Sequence, residues 1–249
     1  MHKHCSTQVK QFIPRGDMTV NELVCEMGKA GAYNGGSLFH AVEVYEKMLS
    51  DPDMTKFFAL SGAMVPAGMG GIVSTLIEKG HIDVLTSTGA NLTHDVIEAI
   101  GCHHYHGKAE CDDVELRNDE VNRIYDVYLP NDAFEDLEEF IQDVYCGLPE
   151  EPITISSLLK TIGEQLDTGI LATAAKHDVP VYCPAFSGLG PWSAVLDVLP
   201  VPQKDDPRRD RRYACSDESG LQRQKSRRGF GRRRRPEELH APEHADDAK

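Results

Sequence analysis

Short apolar runs that end in small, hydroxyl-rich turns and are followed by amphipathic helices recur along the chain. The first run, residues 57–60, ends in a turn over 61–68, and a helical apolar repeat follows over 72–77. A second run, 82–85, ends in a turn over 86–91 before another helical repeat. Strand, turn and helix in this order are typical of parallel sheets. The pattern therefore predicts an α/β fold, Rossmann-like, with a parallel sheet flanked by helices.

Helical periodicity predicts elements on both sides of these two units. Thr19 and Glu22 form a candidate capping box for a first helix, which Gly31 and the Asn-Gly-Gly segment 34–36 would end. A second helix is predicted from Ser37, and the pair would cover one edge or face of the sheet. Later elements are a short strand ending near 130, helices over 131–146, 153–166 and 169–177, and a third core strand over 179–183.

The turns at the strand ends are the candidate ligand site. Small residues let the backbone approach a ligand, and the N-terminus of the following helix favours phosphate. In parallel sheets, ligands lie beyond the carboxyl ends of the strands. The chain has no G-x-G-x-x-G fingerprint, P-loop, G-x-S-x-G elbow or zincin motif. The residues alone thus favour a phosphate- or nucleotide-sized ligand, with a sugar-phosphate or a structural use of the turns as alternatives.

Charge divides the chain into an acidic body and a basic end. Formal net charge is −14, but residues 204–249 hold 14 of the 26 basic residues and only 10 of the 40 acidic ones. An acidic body argues against DNA binding and suits cationic ligands or partners. The Arg-rich end has no pattern of buried positions, so we expect an α/β domain over 1–190 and a disordered tail over 191–249.

Other residue types limit the location and the chemistry. The seven cysteines are scattered without a C-x-x-C pair, which favours free thiols in a reducing compartment. No apolar run reaches membrane-spanning length and the first residues lack a signal-type core, so a cytoplasmic protein is expected. Cys102, His103, His104 and His106 are zinc-type ligands, but their spacing matches no standard zinc site, and we predict none.

Three long motifs carry a resemblance to a known family. They are ALSGAMVPAGM (59–69), DVLTSTGANLTHD (83–95) and VYCPAFS (181–187), in that order. Together they resemble the deoxyhypusine synthase family in its archaeal-type form, over about residues 10–188. The resemblance implies an α/β homotetramer that uses NAD to transfer the aminobutyl group of spermidine to a lysine of the translation initiation factor 5A precursor.

The resemblance also implies site residues. NAD contacts fall on the first turn and on the second turn, at Gly62, Ala63, Met64, Val65, Pro66, Thr88, Gly89 and Ala90. Thr93 and His94 stand where the family meets the ribose or the polyamine. His94 replaces the glutamate of many members, and an imidazole can accept a ribose hydroxyl only when it is neutral. A plain helix-start polar residue is the alternative for His94.

The family's catalytic segment is missing from this chain. After the third motif the chain reads Ser187-Gly188-Leu189 where the family has acidic residues, and no Gly-Gly-Gly-Val-Pro-Lys-type segment with its catalytic lysine follows. Codons for 233–238, read one nucleotide out of phase, can encode Gly-Gly-Val-Pro-Lys-Asn, and 205–211 can encode family-like text in the same way. The hypothesis is a frameshift between about residues 190 and 204. A genuine basic tail that binds RNA or an acidic partner is the alternative.

The sequence thus predicts a deoxyhypusine synthase-like transferase whose activity is impaired, because it has no catalytic lysine. Alternatives are a catalytically inactive NAD-binding partner subunit and a homospermidine synthase-like polyamine transferase, which uses the same first half-reaction with a small amine as acceptor.

Overall fold

A three-stranded parallel sheet forms the centre of the protein, and a small antiparallel sheet lies beside it. The computed structural model describes residues 7–149 and 153–184. Its helices are α1 (Val20–Ala30), α2 (Tyr33–Ser50), α3 (Gly70–Glu78), α4 (Gly89–Ala99), α5 (Asp113–Asn118), α6 (Asp132–Cys146), α7 (Ile155–Glu164) and α8 (Ile170–Lys176). Its strands are β1 (Phe57–Leu60), β2 (Val84–Ser87), β3 (Tyr105–His106), β4 (Val121–Ile124), β5 (Val127–Pro130) and β6 (Val181–Tyr182).

The parallel sheet has the order β1-β2-β6. Leu60 at the end of β1 is in register with Ser87 at the end of β2, and Leu85 pairs with Val181 of β6. All three strands therefore end on the same side. The predicted α/β fold with a parallel sheet flanked by helices is confirmed. The first strand lies at the predicted residues, whereas the second spans 84–87 instead of 82–85, and α4 begins at Gly89, inside the predicted turn.

The antiparallel sheet, in the order β3-β5-β4, was only partly predicted. The sequence indicated one short strand near residue 130, whereas β4 and β5 form a hairpin in which Ile124 pairs with Val127. Tyr125 in the connecting turn has φ 59. Glycine, asparagine or aspartate usually occupies such a left-handed position, so the sequence carried no hairpin signal there.

The first helix begins and ends as predicted. The Thr19 hydroxyl accepts a hydrogen bond from the Glu22 amide at 3.2 Å, and the Glu22 carboxylate accepts one from the Thr19 amide at 2.8 Å. These two bonds satisfy amides at the helix start that no earlier carbonyl could reach. Gly31 ends the helix with φ 66 in the left-handed region.

The second helix corrects two predictions. It begins at Tyr33, so Gly35 and Gly36 lie inside its first turn instead of breaking it. A Cβ added to Gly36 would stand 2.7 Å from the Gly31 carbonyl carbon, and one added to Gly28 would stand 2.3 Å from the Phe39 ring. The glycines thus allow α1 and α2 to pack closely on each other. Neither helix contains a buried residue, but Tyr45 on α2 donates to the His81 carbonyl ahead of β2 at 3.2 Å, so the predicted cover over one edge or face of the sheet stays a prediction.

The apolar core lies between the parallel sheet and helices α3, α4, α6, α7 and α8. Its least exposed members are Leu85, Leu92, Val96, Ile97, Leu129, Leu137, Leu159 and Ile170. Free thiols are found at Cys25, Cys102, Cys111 and Cys183, as predicted. No helix in the described ranges has the length and apolarity to cross a membrane. The predicted tail, 191–249, lies outside those ranges.

Buried polar side chains are concentrated in one segment. The buried polar or charged residues of the described ranges are Ser87, Asn91, Thr93 and Asp95. All four belong to the end of β2 or to α4, and so to the second of the three motifs.

Candidate functional site

Asn91 ties together the two turns at the carboxyl ends of β1 and β2. Its amide oxygen accepts hydrogen bonds from the backbone amides of Met64 at 3.2 Å and Val65 at 3.3 Å. Its amide nitrogen donates to the Thr88 hydroxyl at 3.2 Å. Asn91 is only 1% exposed, so one buried side chain fixes the separation of the two turns.

The first turn uses most of its own backbone donors. Asn91 accepts from the amides of Met64 and Val65, Pro66 has no N–H, and the amides of Ala67, Gly68 and Met69 donate to carbonyls within the turn. The next amides, Gly70 and Gly71, begin α3, where a helix has no preceding carbonyls to accept from them. Backbone donors for an anion are therefore offered at the start of α3 and not in the middle of the turn.

The two turns joined by Asn91 are called the corner below. The predicted site residues lie around this corner and differ in their exposure to solvent. Gly62, Ala63, Met64 and Ala90 are exposed, Thr88 and His94 are half-buried, and Val65, Pro66, Gly89 and Thr93 are buried. Thr88 is the N-cap residue of α4, and its side chain makes no capping bond because it accepts from Asn91. The third predicted turn lies largely outside the described residues, and so does Ser187.

A cavity of about 920 Å³ adjoins the first turn. Val65 and Pro66 line it, together with Gly70 and Gly71 at the start of α3. Its wall carries five carboxyl side chains, those of Glu78, Asp95, Glu98, Asp126 and Asp167. No lysine or arginine among the described residues lines it, so the cavity suits a cationic ligand.

Two histidines and a glutamate form a hydrogen-bonded series along α4 and the segment that follows it. His104 Nδ1 lies 2.6 Å from Glu98 Oε1, and His104 Nε2 lies 2.9 Å from His94 Nδ1. The His104 amide also donates to Glu98 Oε1 at 2.8 Å. The side chain of His104 is only 6% exposed. We refer to these three residues as the Glu98–His104–His94 series.

The environment keeps His94 neutral. Burial, and then the nearby His104, lower the pKa of His94 to about 4, because a cation is poorly solvated there. Burial raises the pKa of Glu98, but hydrogen bonds from His103 and His104 outweigh it and hold that pKa below its usual value. At neutral pH the series therefore contains an ionised carboxylate at one end and a neutral imidazole at the other. A neutral His94 is what a ribose hydroxyl would require.

Asp95, the residue after His94, holds the start of α8 in place. Its two carboxyl oxygens accept hydrogen bonds from the amides of Ile170 at 2.7 Å and Leu171 at 2.9 Å, at the start of α8. Gly169 precedes them with φ 102, and a Cβ there would stand 3.0 Å from the carboxyl group. Burial raises the pKa of Asp95 to about 6, although the two amide bonds oppose the shift.

The cysteine and histidine segment after α4 does not converge on one point. The Cys102 thiol donates to Asp136 on α6 at 3.4 Å, and burial with the nearby carboxylates raises the pKa of Cys102 to about 12. His103 and His104 turn toward Glu98. Within the described ranges, no group of three histidine, cysteine or acidic side chains is arranged to hold a metal ion.

Sequence reasoning did not assign roles to Asn91, Asp95, Glu98 or His104. Asn91 and Asp95 lie inside the second motif, and polar residues at core positions of an amphipathic helix were the available signal. The contact between Glu98 and His104 depends on how the chain leaves α4, which no local pattern records.

Residues 22–190 match the family model for deoxyhypusine synthase. Probable deoxyhypusine synthase 1 of Methanosarcina acetivorans is 52% identical over 182 residues, which are 71% of this chain and 57% of that protein. Its counterpart in Methanosarcina mazei is 50% identical over 198 residues, covering 76% of this chain and 62% of that protein.

A solved structure has a related fold. A crystal structure assigned to deoxyhypusine synthase of Entamoeba histolytica superposes with a TM-score of 0.52 at 17% identity, covering 80% of this chain and 70% of that one. At such an identity the likeness concerns the fold alone. The matched region spans about 57–62% of the length of the archaeal relatives.

Proposed function

Since the chain belongs to the deoxyhypusine synthase family, we propose that it derives from a spermidine aminobutyl transferase and retains that enzyme's NAD site. Such an enzyme uses NAD to transfer the aminobutyl group of spermidine to a lysine of the translation initiation factor 5A precursor. The observation that carries this proposal is the Asn91 bridge, which brings the two motif turns together at the ends of β1 and β2.

The corner suits a dinucleotide on three counts. Gly62 and Gly71 have open space where a Cβ would stand, so a ligand can approach the backbone closely. The amides of Gly70 and Gly71 begin a helix and suit a phosphate group. His94 is neutral and can hydrogen-bond a ribose hydroxyl. NAD, when bound, supplies the hydride acceptor, and Gly62, Ala63, Met64, Val65, Pro66, Thr88, Gly89 and Ala90 would hold it.

The acidic cavity supports a polyamine as the second ligand. Spermidine carries several positive charges, and the cavity wall presents five carboxyl groups without a compensating lysine or arginine in the described ranges. Glu98 and His104 belong both to this wall and to the series that ends at His94. Thr93 and His94, to which the resemblance assigns the ribose or the polyamine, do not line this cavity, and His94 connects to its wall through His104.

A variant at the start of α4 tests the coenzyme proposal. Ala90 is exposed in the first turn of α4, where an acidic side chain is compatible with the helix dipole. Ala90→Asp should therefore leave folding intact but add a negative charge where the proposal places a coenzyme contact. We expect the full chain to bind NAD in calorimetry and Ala90→Asp to bind it at least tenfold more weakly. Ala41→Asp, exposed on α2, is the matched control and should bind like the parent.

Two results would refute the coenzyme proposal. One is an absence of NAD binding to the folded parent chain. The other is equal affinity in Ala90→Asp and the parent, which would show that Ala90 does not contact the coenzyme.

Transfer activity is a separate question, because the chain lacks a lysine in the family's catalytic context. Such a lysine has to be neutral and desolvated to attack, and none of Lys204, Lys225 and Lys249 lies in a matching segment. We expect no transfer of radiolabelled spermidine carbon to the factor precursor by this chain alone. Transfer by the purified chain would refute the impairment. Transfer to a small amine instead would identify a homospermidine synthase-like reaction.

The missing lysine also supports a second candidate, an NAD-binding partner subunit without activity of its own. We expect such a subunit to assemble with a complete relative and to change that relative's NAD affinity. Sedimentation of a mixture with one of the archaeal relatives tests this candidate, and separate peaks would exclude it.

A further inference from the structure

The Glu98–His104–His94 series has a defined direction. An ionised carboxylate can only accept, so the His104 nitrogen next to it, Nδ1, has to carry a proton. When His104 is neutral, its Nε2 is then an acceptor, and the proton in the 2.9 Å contact belongs to Nδ1 of His94. This leaves Nε2 of His94 with a free lone pair. Within the described residues, that nitrogen makes no hydrogen bond.

The series is also held in place. Oε1 of Glu98 accepts from both the side chain and the backbone amide of His104, which fixes the ring relative to its own backbone. Oε2 of Glu98 contacts the exposed ring of His103 at 3.0 Å. His104 is almost fully buried, and its ring meets that of His94 edge to face with centroids 4.9 Å apart.

We propose that Glu98 and His104 are positioning residues that hold the proton of His94 on Nδ1. Nε2 of His94 can then accept a proton from a bound cationic amine. The positive charge moves on to His104, beside Glu98. The proposal rests on the proposed function, which places a polyamine in the cavity lined by His104, and it gives the free nitrogen of His94 to the amine in place of a ribose hydroxyl. It adds a route by which a protonated amine becomes the neutral amine that imine chemistry requires.

Each transfer in this route balances. The ammonium N–H bond of the ligand breaks and an N–H bond forms at Nε2 of His94. The N–H bond at Nδ1 of His94 breaks and one forms at Nε2 of His104. His94 ends neutral with its proton on Nε2, His104 ends as an imidazolium, and Glu98 remains ionised as its counter-ion.

The charged groups around the series are mainly carboxyl groups. Asp95 on the same helix directs its carboxyl group to the start of α8, and His103 contacts the far oxygen of Glu98. The other elements near the series bring mainly carboxyl groups, which are Glu78 on α3, Asp126 in the β4–β5 turn, Asp167 before α8, and Asp132 and Asp136 on α6 near Cys102.

Nitrogen-15 NMR of the full chain with labelled histidine tests the proposal. At pH 7.5 we expect His94 to carry its proton on Nδ1. When the pH is lowered, the pair takes up one proton, and His94 should change to the tautomer protonated on Nε2. Replacing the carboxylate in Glu98→Gln should move this tautomer change down by about one pH unit or more, since a negative charge no longer favours the cation.

Glu139→Gln is the matched control, because Glu139 is exposed on α6 and the charge change is the same. It should leave the tautomer change where it is in the parent. His104→Gln is a second variant that keeps a polar side chain but removes the proton acceptor. In His104→Gln the pH-dependent change at His94 should disappear.

The proposal is overturned if His94 carries its proton on Nε2 at pH 7.5, if Glu98→Gln leaves the tautomer change unmoved, or if the change persists in His104→Gln. NAD calorimetry on the same samples separates this outcome from that of the proposed function. A chain that shows the tautomer change without binding NAD refutes the coenzyme proposal alone, and the reverse result refutes the positioning proposal alone.

Discussion

At the scale of single residues, Asn91 has the largest set of consequences. It satisfies two backbone amides of one turn and contacts the capping hydroxyl of the next, all from a buried position. An amide side chain can accept two hydrogen bonds at its oxygen and donate from its nitrogen while it stays neutral. The geometry of the corner therefore depends on one residue that does not itself need to touch a ligand.

Replacing this amide should loosen the corner. We expect Asn91→Ala to lower the free energy of unfolding by about 2 kcal/mol, since the amides of Met64 and Val65 lose their acceptor. NAD affinity should fall with it. Urea unfolding and calorimetry measure the two effects. Asn34→Ala, at an exposed position of α2, should change neither, and an unchanged Asn91→Ala protein would contradict the bridging role.

Asp95 should make stability depend on pH. Its pKa is raised from 3.8 to about 6 in the folded protein, so between these values the folded state binds more protons than the unfolded one. The free energy of unfolding should therefore fall as the pH rises from 4 to 6, by about 2 to 3 kcal/mol from this group.

Comparison with Asp95→Asn isolates this contribution. Asparagine cannot ionise, so its variant should lack this part of the pH dependence while losing one acceptor for the amides of α8. Urea unfolding at several pH values between 4 and 7 gives the difference. Parallel curves for the two proteins would show that Asp95 does not titrate in this range.

At the scale of elements, close helix pairs depend on glycine. α7 and α8 are tightly packed, and a Cβ on Gly163 would stand 2.3 Å from the Leu171 carbonyl oxygen. Backbone cannot move away from such a contact as a side chain can. We expect Gly163→Ala to destabilise the protein by about 1 to 3 kcal/mol, measured by thermal or urea unfolding.

The control for this variant is another helical glycine. Gly71 in α3 has no neighbour within 4 Å of a Cβ, so Gly71→Ala should be neutral or stabilising by up to about 1 kcal/mol. If both variants were equally stable, the α7–α8 contact would be less tight than the structure indicates.

Local signals predicted most elements. Short-range patterns were sufficient to place these elements, because each pattern depends on neighbours within one or two turns. They are the capping box at Thr19, the apolar repeats of α3, α4 and α6, and the apolar runs at β1 and β2. The failures have a common cause. Gly35 and Gly36 look like the end of a helix in the sequence, although they lie inside α2 and allow it to pack on α1. Tyr125 occupies the left-handed position of a hairpin turn, where tyrosine is unusual. At Gly36 the contact with the end of α1 outweighs the local preference, and at Tyr125 the pairing of β4 with β5 does.

The candidate site was predictable only in part. The turns after β1 and β2 were expected to meet, because parallel strands end on one side, and they do. Their roles as coenzyme contacts remain predictions. Asn91, Glu98 and His104 could not be assigned from the sequence, since their contacts join residues up to 27 positions apart.

At the scale of the whole molecule, exposed apolar side chains suggest assembly. Val20 on α1, Phe57 on β1 and Ile72 on α3 are 78%, 70% and 57% exposed. In the described ranges β1 pairs with β2 only, so it is an edge strand. A long apolar edge is an aggregation risk unless another chain covers it. These features support the proposed homotetramer.

Sedimentation equilibrium tests the assembly. We expect a mass of four times the 27.6 kDa chain for the parent and a smaller species for Phe57→Asp. Tyr125→Asp, in an equally exposed turn position, should assemble like the parent. A monomeric parent would refute the homotetramer.

The frameshift hypothesis also concerns the whole chain, although residues 191–249 lie outside the described ranges. The coding nucleotides should contain, in another frame, a Gly-Gly-Gly-Val-Pro-Lys segment. Their sequence decides the question, and a coding region without such a segment would leave the basic tail as the remaining explanation. That tail would then be expected to retain nucleic acid in a salt-dependent way.

The bridge from Asn91 to both turns has a mechanical consequence. Since the loop after β1 and the cap of α4 share one rigid link, neither can swing without pulling the other. A ligand that binds at one of the two turns would therefore also shift the other turn. Entry and departure of a coenzyme should then proceed as a single concerted event and not as two separate loop motions.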